Sequence, residues 1–107
     1  MGKSQRTKGA TGEREVCHLL QDVLGVDAKR NLSQTREGGC DIAVGPYHLE
    51  VKRRARIGGV YDWMEQAERS CLQREKPVVV CRADGRKWLA VIPFDEWMRL
   101  AGGELTD

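Results

Sequence analysis

The sequence predicts an α/β fold: a single domain with a mixed central β-sheet flanked by helices, in the order α-β-β-β-α-β-β-α. Three observations point there. Apolar residues recur at helical spacing near the start and in the middle of the chain. Short runs rich in β-branched residues, such as Pro77 to Arg82 (PVVVCR), read as strands. Turn residues separate these runs at short intervals, and strands alternating with helices give layered α/β architectures. A chain of 107 residues suits one hydrophobic core.

Residues 1–10 are polar and basic and read as a flexible arm, with the domain spanning 11–107. A helix is expected from Thr11, with Thr11 as N-cap, Glu13 and Glu15 at the positive end of the dipole, and Gly25 closing it. Val16, Leu19, Leu20, Val23 and Leu24 form its apolar stripe. A short strand follows at Asp27 to Leu32, then a polar loop from Ser33 to Gly39. Cys40 to Val44 and Tyr47 to Lys52 read as two strands joined by a Gly45-Pro46 turn. Gly58-Gly59 breaks the chain before a helix from Tyr61 to Gln73, with Val60, Met64, Ala67 and Cys71 on one side. Pro77 to Arg82, a turn at Ala83 to Arg86, a strand at Lys87 to Ile92 and a helix at Phe94 to Ala101 complete the order.

Composition bounds the function classes. No apolar run approaches the roughly 20 residues that span a bilayer, and Met1 to Lys8 lacks the apolar stretch of a secretory signal. The expectation is a protein of the cytoplasm. Cys17, Cys40, Cys71 and Cys81 contain no CxxC pair, so they read as reduced thiols rather than zinc ligands. The net charge of +2 is modest, but cations cluster at Lys3-Arg6-Lys8, Lys29-Arg30 and Lys52-Arg53-Arg54-Ala55-Arg56. Such clusters favour a polyanionic partner, although a charge run alone is also the mark of a solvated face. Trp63, Trp88 and Trp97 each lie in or beside an apolar pattern and read as packing residues rather than base-stacking platforms.

The hairpin carries the chemistry. A turn at Gly45-Pro46 pairs Val44 with Tyr47, Ala43 with His48, Ile42 with Leu49 and Asp41 with Glu50. Opposed side chains have Cβ atoms about 4.5–5.5 Å apart, and like charges there repel. By period two, Lys52 shares the face of Glu50, while Leu49 and Val51 point to a core. A divalent cation between Asp41 and Glu50 relieves the repulsion, and hard oxygen ligands suit Mg²⁺ or Mn²⁺. Glu13 lies at the margin of the helix's buried stripe, placed either to join a metal site or to stabilise the helix dipole. His18 and His48 read as structural, although His48 shares the face of Glu50.

Lys8-Gly9-Ala10-Thr11-Gly12-Glu13-Arg14-Glu15-Val16, Gly39-Cys40-Asp41-Ile42-Ala43-Val44 and Leu49-Glu50-Val51-Lys52, in that order, resemble the archaeal-type Holliday junction resolvases of the PD-(D/E)xK nuclease superfamily. The resemblance covers residues 8 to 54 in detail; Cys40 stands where the superfamily name has proline. It implies a restriction-endonuclease-like fold and a homodimer that cuts four-way DNA junctions to leave 5′-phosphates. It further implies Asp41, Glu50, the Val51 carbonyl and Glu13 as the shell of a Mg²⁺ ion, for which Mn²⁺ can substitute. Lys52 would position the attacking water. Lys8, Arg14, Arg30, Ser33, Arg53, Arg54 and Arg56 are candidate DNA contacts, with surface pairing or a turn role as the plainer reading of each. Gln66 is a candidate supporting residue on the helix after the site. Two alternatives remain: another PD-(D/E)xK activity (nickase, repair or restriction-type), and a DNA-binding subunit without catalysis.

Overall fold

The computed structural model describes residues 2–31 and 40–106, with side chains from residue 8 onward. Helix α1 (Gly2–Leu19) leads into strands β1 (Lys29–Arg30), β2 (Ile42–Val44) and β3 (Tyr47–Arg54). Helix α2 (Val60–Arg69), strands β4 (Lys76–Ala83) and β5 (Leu89–Val91), and helix α3 (Phe94–Leu105) follow. The strands form one sheet in the order β1-β2-β3-β4-β5. Pairing is antiparallel except between β3 and β4, which run parallel. The α/β class and the element order are as the sequence predicts.

Boundaries differ in places. Residues 2–10, expected as an arm, lie in α1, so Thr11 is an interior helical residue and not the N-cap. Gly25 does close this segment, with its N–H on the Gln21 carbonyl, but the last turn (Leu20–Leu24) is a π-helix. β1 shrinks to two residues. Helix α2 stops at Arg69 rather than Gln73, because Ser70 Oγ donates to the Ala67 carbonyl and the chain then turns through Cys71.

The sheet separates two cores. Val16 and Cys17 of α1 pack with Ala28, Ile42, Leu49, Val51 and Val78 on one face. Ala67 of α2 packs with Val79 and Cys81 on the other, flanked by Ile57, Trp63, Met64 and Val91. Alternate residues of β3 therefore serve different layers: Leu49 and Val51 face α1, while Glu50 and Lys52 lie beside Val79 and Cys81 under α2. Close approach of α1 to β3 needs Gly12, where an added Cβ would stand 3.2 Å from Arg53 Cβ and 3.3 Å from Trp88 Cη2. All four cysteines are free thiols, as expected. Trp63 and Trp88 pack against the two cores, whereas Trp97 is half exposed and stacks on Phe94 at 5.8 Å. Among the described residues, no helix is long and apolar enough to cross a membrane.

Candidate active site

The hairpin register is the predicted one: Ile42 pairs with Leu49, Ala43 with His48 and Val44 with Tyr47. Gly45 has φ 54°, the left-handed first position of a two-residue II′ turn, and the proline ring fixes the second. The ladder stops at Ile42, so Asp41 does not pair with Glu50. Its N–H donates to the Leu49 carbonyl (3.0 Å), and its carboxylate Oδ2 accepts the Val51 N–H at 2.8 Å. The side chain thus takes the hydrogen bond that a longer β2 would have made, which pins the carboxylate at the end of the hairpin.

Glu50 is 3% exposed and Lys52 9% exposed. Their heads lie 3.5 Å apart, and Lys52 Nζ also donates to Gln66 Oε1 on α2 at 2.8 Å. Burial among apolar neighbours, followed by the charge of Asp41, pushes the Glu50 carboxyl up to about 7, with Lys52 opposing both. Glu13 approaches from α1. Its carboxylate accepts from Arg30 Nε at 3.1 Å, while burial and Asp41 raise its pKa above the ordinary value. Asp41, Glu50, Lys52, Gln66, Glu13 and Arg30 therefore form one connected polar cluster where β2 ends beside β3.

The other sequence candidates are placed as follows. Lys8 pairs with Asp84 at 2.8 Å. Arg53 lies 4.0 Å from Glu15, and Arg54 sits over the Trp63 ring at 6.0 Å. Arg14 and Arg56 are exposed. Ser33 lies outside the described residues. His48 is held between the Ser70 carbonyl (3.2 Å) and Glu75 (2.9 Å), away from the cluster's hydrogen bonds. Glu15 has a role that the helical pattern does not suggest: it receives Arg82 Nη2 at 3.3 Å and Trp88 Nε1 at 3.1 Å as well as facing Arg53. The signal for it was Arg53 itself. By period two it follows Leu49 and Val51 onto the α1 face, where an arginine needs an acid.

Among the described residues, no three His, Cys, Asp or Glu side chains converge at metal-holding distance. The donor set nonetheless fits an oxygen-preferring divalent cation: two mutually repelling carboxylates, one nearly sealed from water. Mg²⁺ is usually held by only one or two carboxylates, with water and substrate phosphate completing its shell. The Val51 carbonyl faces the same edge, because N–H and C=O of one strand residue point the same way and the N–H meets Asp41.

A mixed sheet that presents Asp41 beside Glu50-Val51-Lys52, next to a helix that supplies Glu13, is the arrangement of a PD-(D/E)xK nuclease. A family model described as "Phage putative PDDEXK endonuclease" matches residues 4–102. The chain belongs to this family and is a nuclease of the PD-(D/E)xK type; such nucleases generally use divalent metals. No curated protein and no solved structure matches the chain.

Proposed function

We propose that the chain is a metal-dependent DNA endonuclease that resolves four-way junctions by paired phosphodiester hydrolysis, leaving 5′-phosphates. The observation that carries the chemistry is the buried Glu50, held beside Asp41 and Lys52 with its proton affinity raised. The junction substrate is supported by the resemblance of residues 8 to 54 to the junction resolvases, and a homodimer follows from the need for two symmetric cuts. A phage family fits action inside a host cell.

Asp41 and Glu50 would hold Mg²⁺ or Mn²⁺, with the Val51 carbonyl as a further ligand and Glu13 directly or through water. When bound, the cation supplies Lewis acidity, lowering the pKa of the attacking water and offsetting charge on the phosphate. Lys52 contributes a fixed positive charge beside the scissile phosphate and orients the water. Gln66 holds the Lys52 ammonium in place through its 2.8 Å hydrogen bond. Arg30 neutralises Glu13 and offers a phosphate contact in the same cluster. Arg14, Arg53, Arg54, Arg56, Lys8 and Ser33 supply the remaining backbone contacts.

The test is cleavage of a labelled four-way junction, with a plain duplex, a nick and a flap alongside. It uses Mg²⁺ or EDTA, with wild type and Asp41→Asn. Symmetric, metal-dependent nicks that vanish in the variant are expected. Equal cutting of every substrate would retain the nuclease and reject junction resolution. Binding without cleavage by the wild type would favour a non-catalytic subunit.

A further inference from the structure

Positive charge gathers at the C-terminal end of the parallel β3–β4 pair. Arg53 lies beside Arg82 in the ladder and Arg54 beside Ala83. The turn beyond β4 adds Arg86 and Lys87, the chain beyond β3 adds Arg56, and Lys8 joins through Asp84. Seven cations thus meet three carboxylates, Glu15, Asp84 and the Asp22 that lines a cavity with Arg82, Arg86 and Lys87, in a chain with 18 basic and 16 acidic residues in all. The remainder of the molecule is net acidic, so this polarity is local and not a reflection of overall composition.

The arginines are also held in place. Arg54 lies over Trp63 at 6.0 Å on the α2 side, and Arg82 over Trp88 at 5.5 Å on the α1 side. A guanidinium laid on an indole gives up little further freedom when its N–H edge meets an anion. Glu15 is shared between Arg53 and Arg82, and the Nε–H of each is buried without an acceptor. Internal ion pairing therefore leaves this cluster with excess positive charge. Arg86 and Lys87 are exposed and line an open cavity of about 610 Å³ with Ile57, Ala83, Gly85 and Leu89.

From this we infer that the β4–β5 turn, through Arg86 and Lys87 with Arg82 behind them, is a second DNA-backbone contact site that extends the path of the duplex beyond the catalytic cluster. The inference rests on the nuclease reading for the identity of the polyanion. Lys52 is one residue before Arg53 and lies beside Cys81, one before Arg82, so the basic end begins where the acidic site stops. Contacts of this kind position a duplex without reading its sequence.

The test is fluorescence anisotropy of a labelled DNA duplex in EDTA, titrated with salt. Proteins compared are the wild type, Arg86→Ala with Lys87→Ala, and Arg69→Ala with Arg74→Ala. The last pair removes two exposed cations at the opposite end of β4. Each lost phosphate contact lowers the slope of log affinity against log salt by about 0.9. The turn variant is therefore expected to lose roughly 1.8 in slope and on the order of tenfold or more in affinity near 0.1 M salt, with the control unchanged. Equal loss in both variants would overturn the inference, since net charge alone would explain it. An unchanged slope in the turn variant would overturn it while leaving the nuclease intact. Melting curves of both variants check folding. Cleavage by the same wild-type preparation in Mg²⁺ tests the nuclease reading separately: a slope change without cleavage would sustain the DNA surface and reject the enzyme.

Discussion

Two glutamates, Glu50 and Glu96, are both shielded from water at 3% and 9% exposure, yet the protein treats them oppositely. Glu96 on α3 is ringed by donors: Arg99 at 2.8 Å, Tyr47 Oη at 3.1 Å and Lys76 at 3.6 Å. The Arg99 hydrogen bond leads in holding its carboxyl down at about 2. Glu50 has one cation at 3.5 Å, itself shared with Gln66, and a second carboxylate beside it. Its carboxyl rises to about 7. The first glutamate is a solved electrostatic problem that ties α3 to the sheet. The second is an unsolved one, a setting that the proposed divalent cation would relieve.

Replacing Glu50 by Gln should separate these roles most sharply. The change removes a proposed metal ligand and is expected to lower DNA cleavage on the order of 10³-fold. In EDTA it should also stabilise the fold, because a buried charge is gone. The sign follows from linkage. A carboxyl whose folded pKa lies above its unfolded value binds more protons when folded, so its contribution is full below about 4.5 and is lost as pH rises through about 7. At pH 8 the penalty removed is up to about 3 kcal/mol. Urea midpoints of wild type and Glu50→Gln between pH 4.5 and 8 measure it: the wild type should weaken across this window and the variant should weaken less. A variant that is less stable at pH 8 would contradict the comparison.

Lys52 and Gln66 come next. Lys52→Ala leaves Glu50 with no counter-ion and is expected to cost on the order of 10²-fold in cleavage. Gln66→Ala leaves Lys52 charged but less firmly aimed, with a loss of roughly tenfold. Single-turnover rates at saturating DNA measure both. If Gln66→Ala matched Lys52→Ala, Gln66 would have to touch the reacting groups itself.

Gly12 tests the packing side. An added methyl would press on Arg53 Cβ, which belongs to a central strand and cannot swing away. Gly12→Ala should cost about 1–3 kcal/mol of stability. Chemical denaturation measures it, and an unchanged midpoint would mean that α1 can lift off β3 without loss.

The hairpin and the Glu50–Lys52 face were legible in the sequence because both are local. A Gly-Pro turn sets the register, and alternation sets the face. The detail that failed, Asp41 opposite Glu50, assumed that the ladder continues one residue further than it does; instead the Asp41 side chain accepts the Val51 N–H just beyond the last rung. The start of α1 was misjudged because residues 2–10 carry no apolar stripe, and the expected Thr11 cap lies inside the helix. Glu15 was unreadable from its own helix. Its partners Arg82 and Trp88 are 67 and 73 residues away, and only the fold brings them to it. Glu96 was missed for the same reason, with Tyr47 49 residues distant.

Glu96→Gln is the mildest of these changes and the other arm of the comparison. Glu96 sits at the rim, and Arg99, its main partner, is exposed and can turn to water, so the loss of stability at pH 7 should be small. Its sign is nevertheless opposite to that of Glu50→Gln. A carboxyl held down in the folded state stabilises above its unfolded pKa, and this contribution disappears as pH falls toward about 2. Wild type and Glu96→Gln should therefore converge in stability as the solution is acidified, whereas wild type and Glu50→Gln should diverge as it is made alkaline. Nuclease activity should be unchanged in Glu96→Gln, since none of its partners belongs to the cluster around Lys52. Thermal midpoints at pH 3 and pH 7, read beside cleavage rates, decide the matter. A loss of cleavage with the fold intact would mean that α3 reaches the substrate, and the division between a solved and an unsolved glutamate would fail.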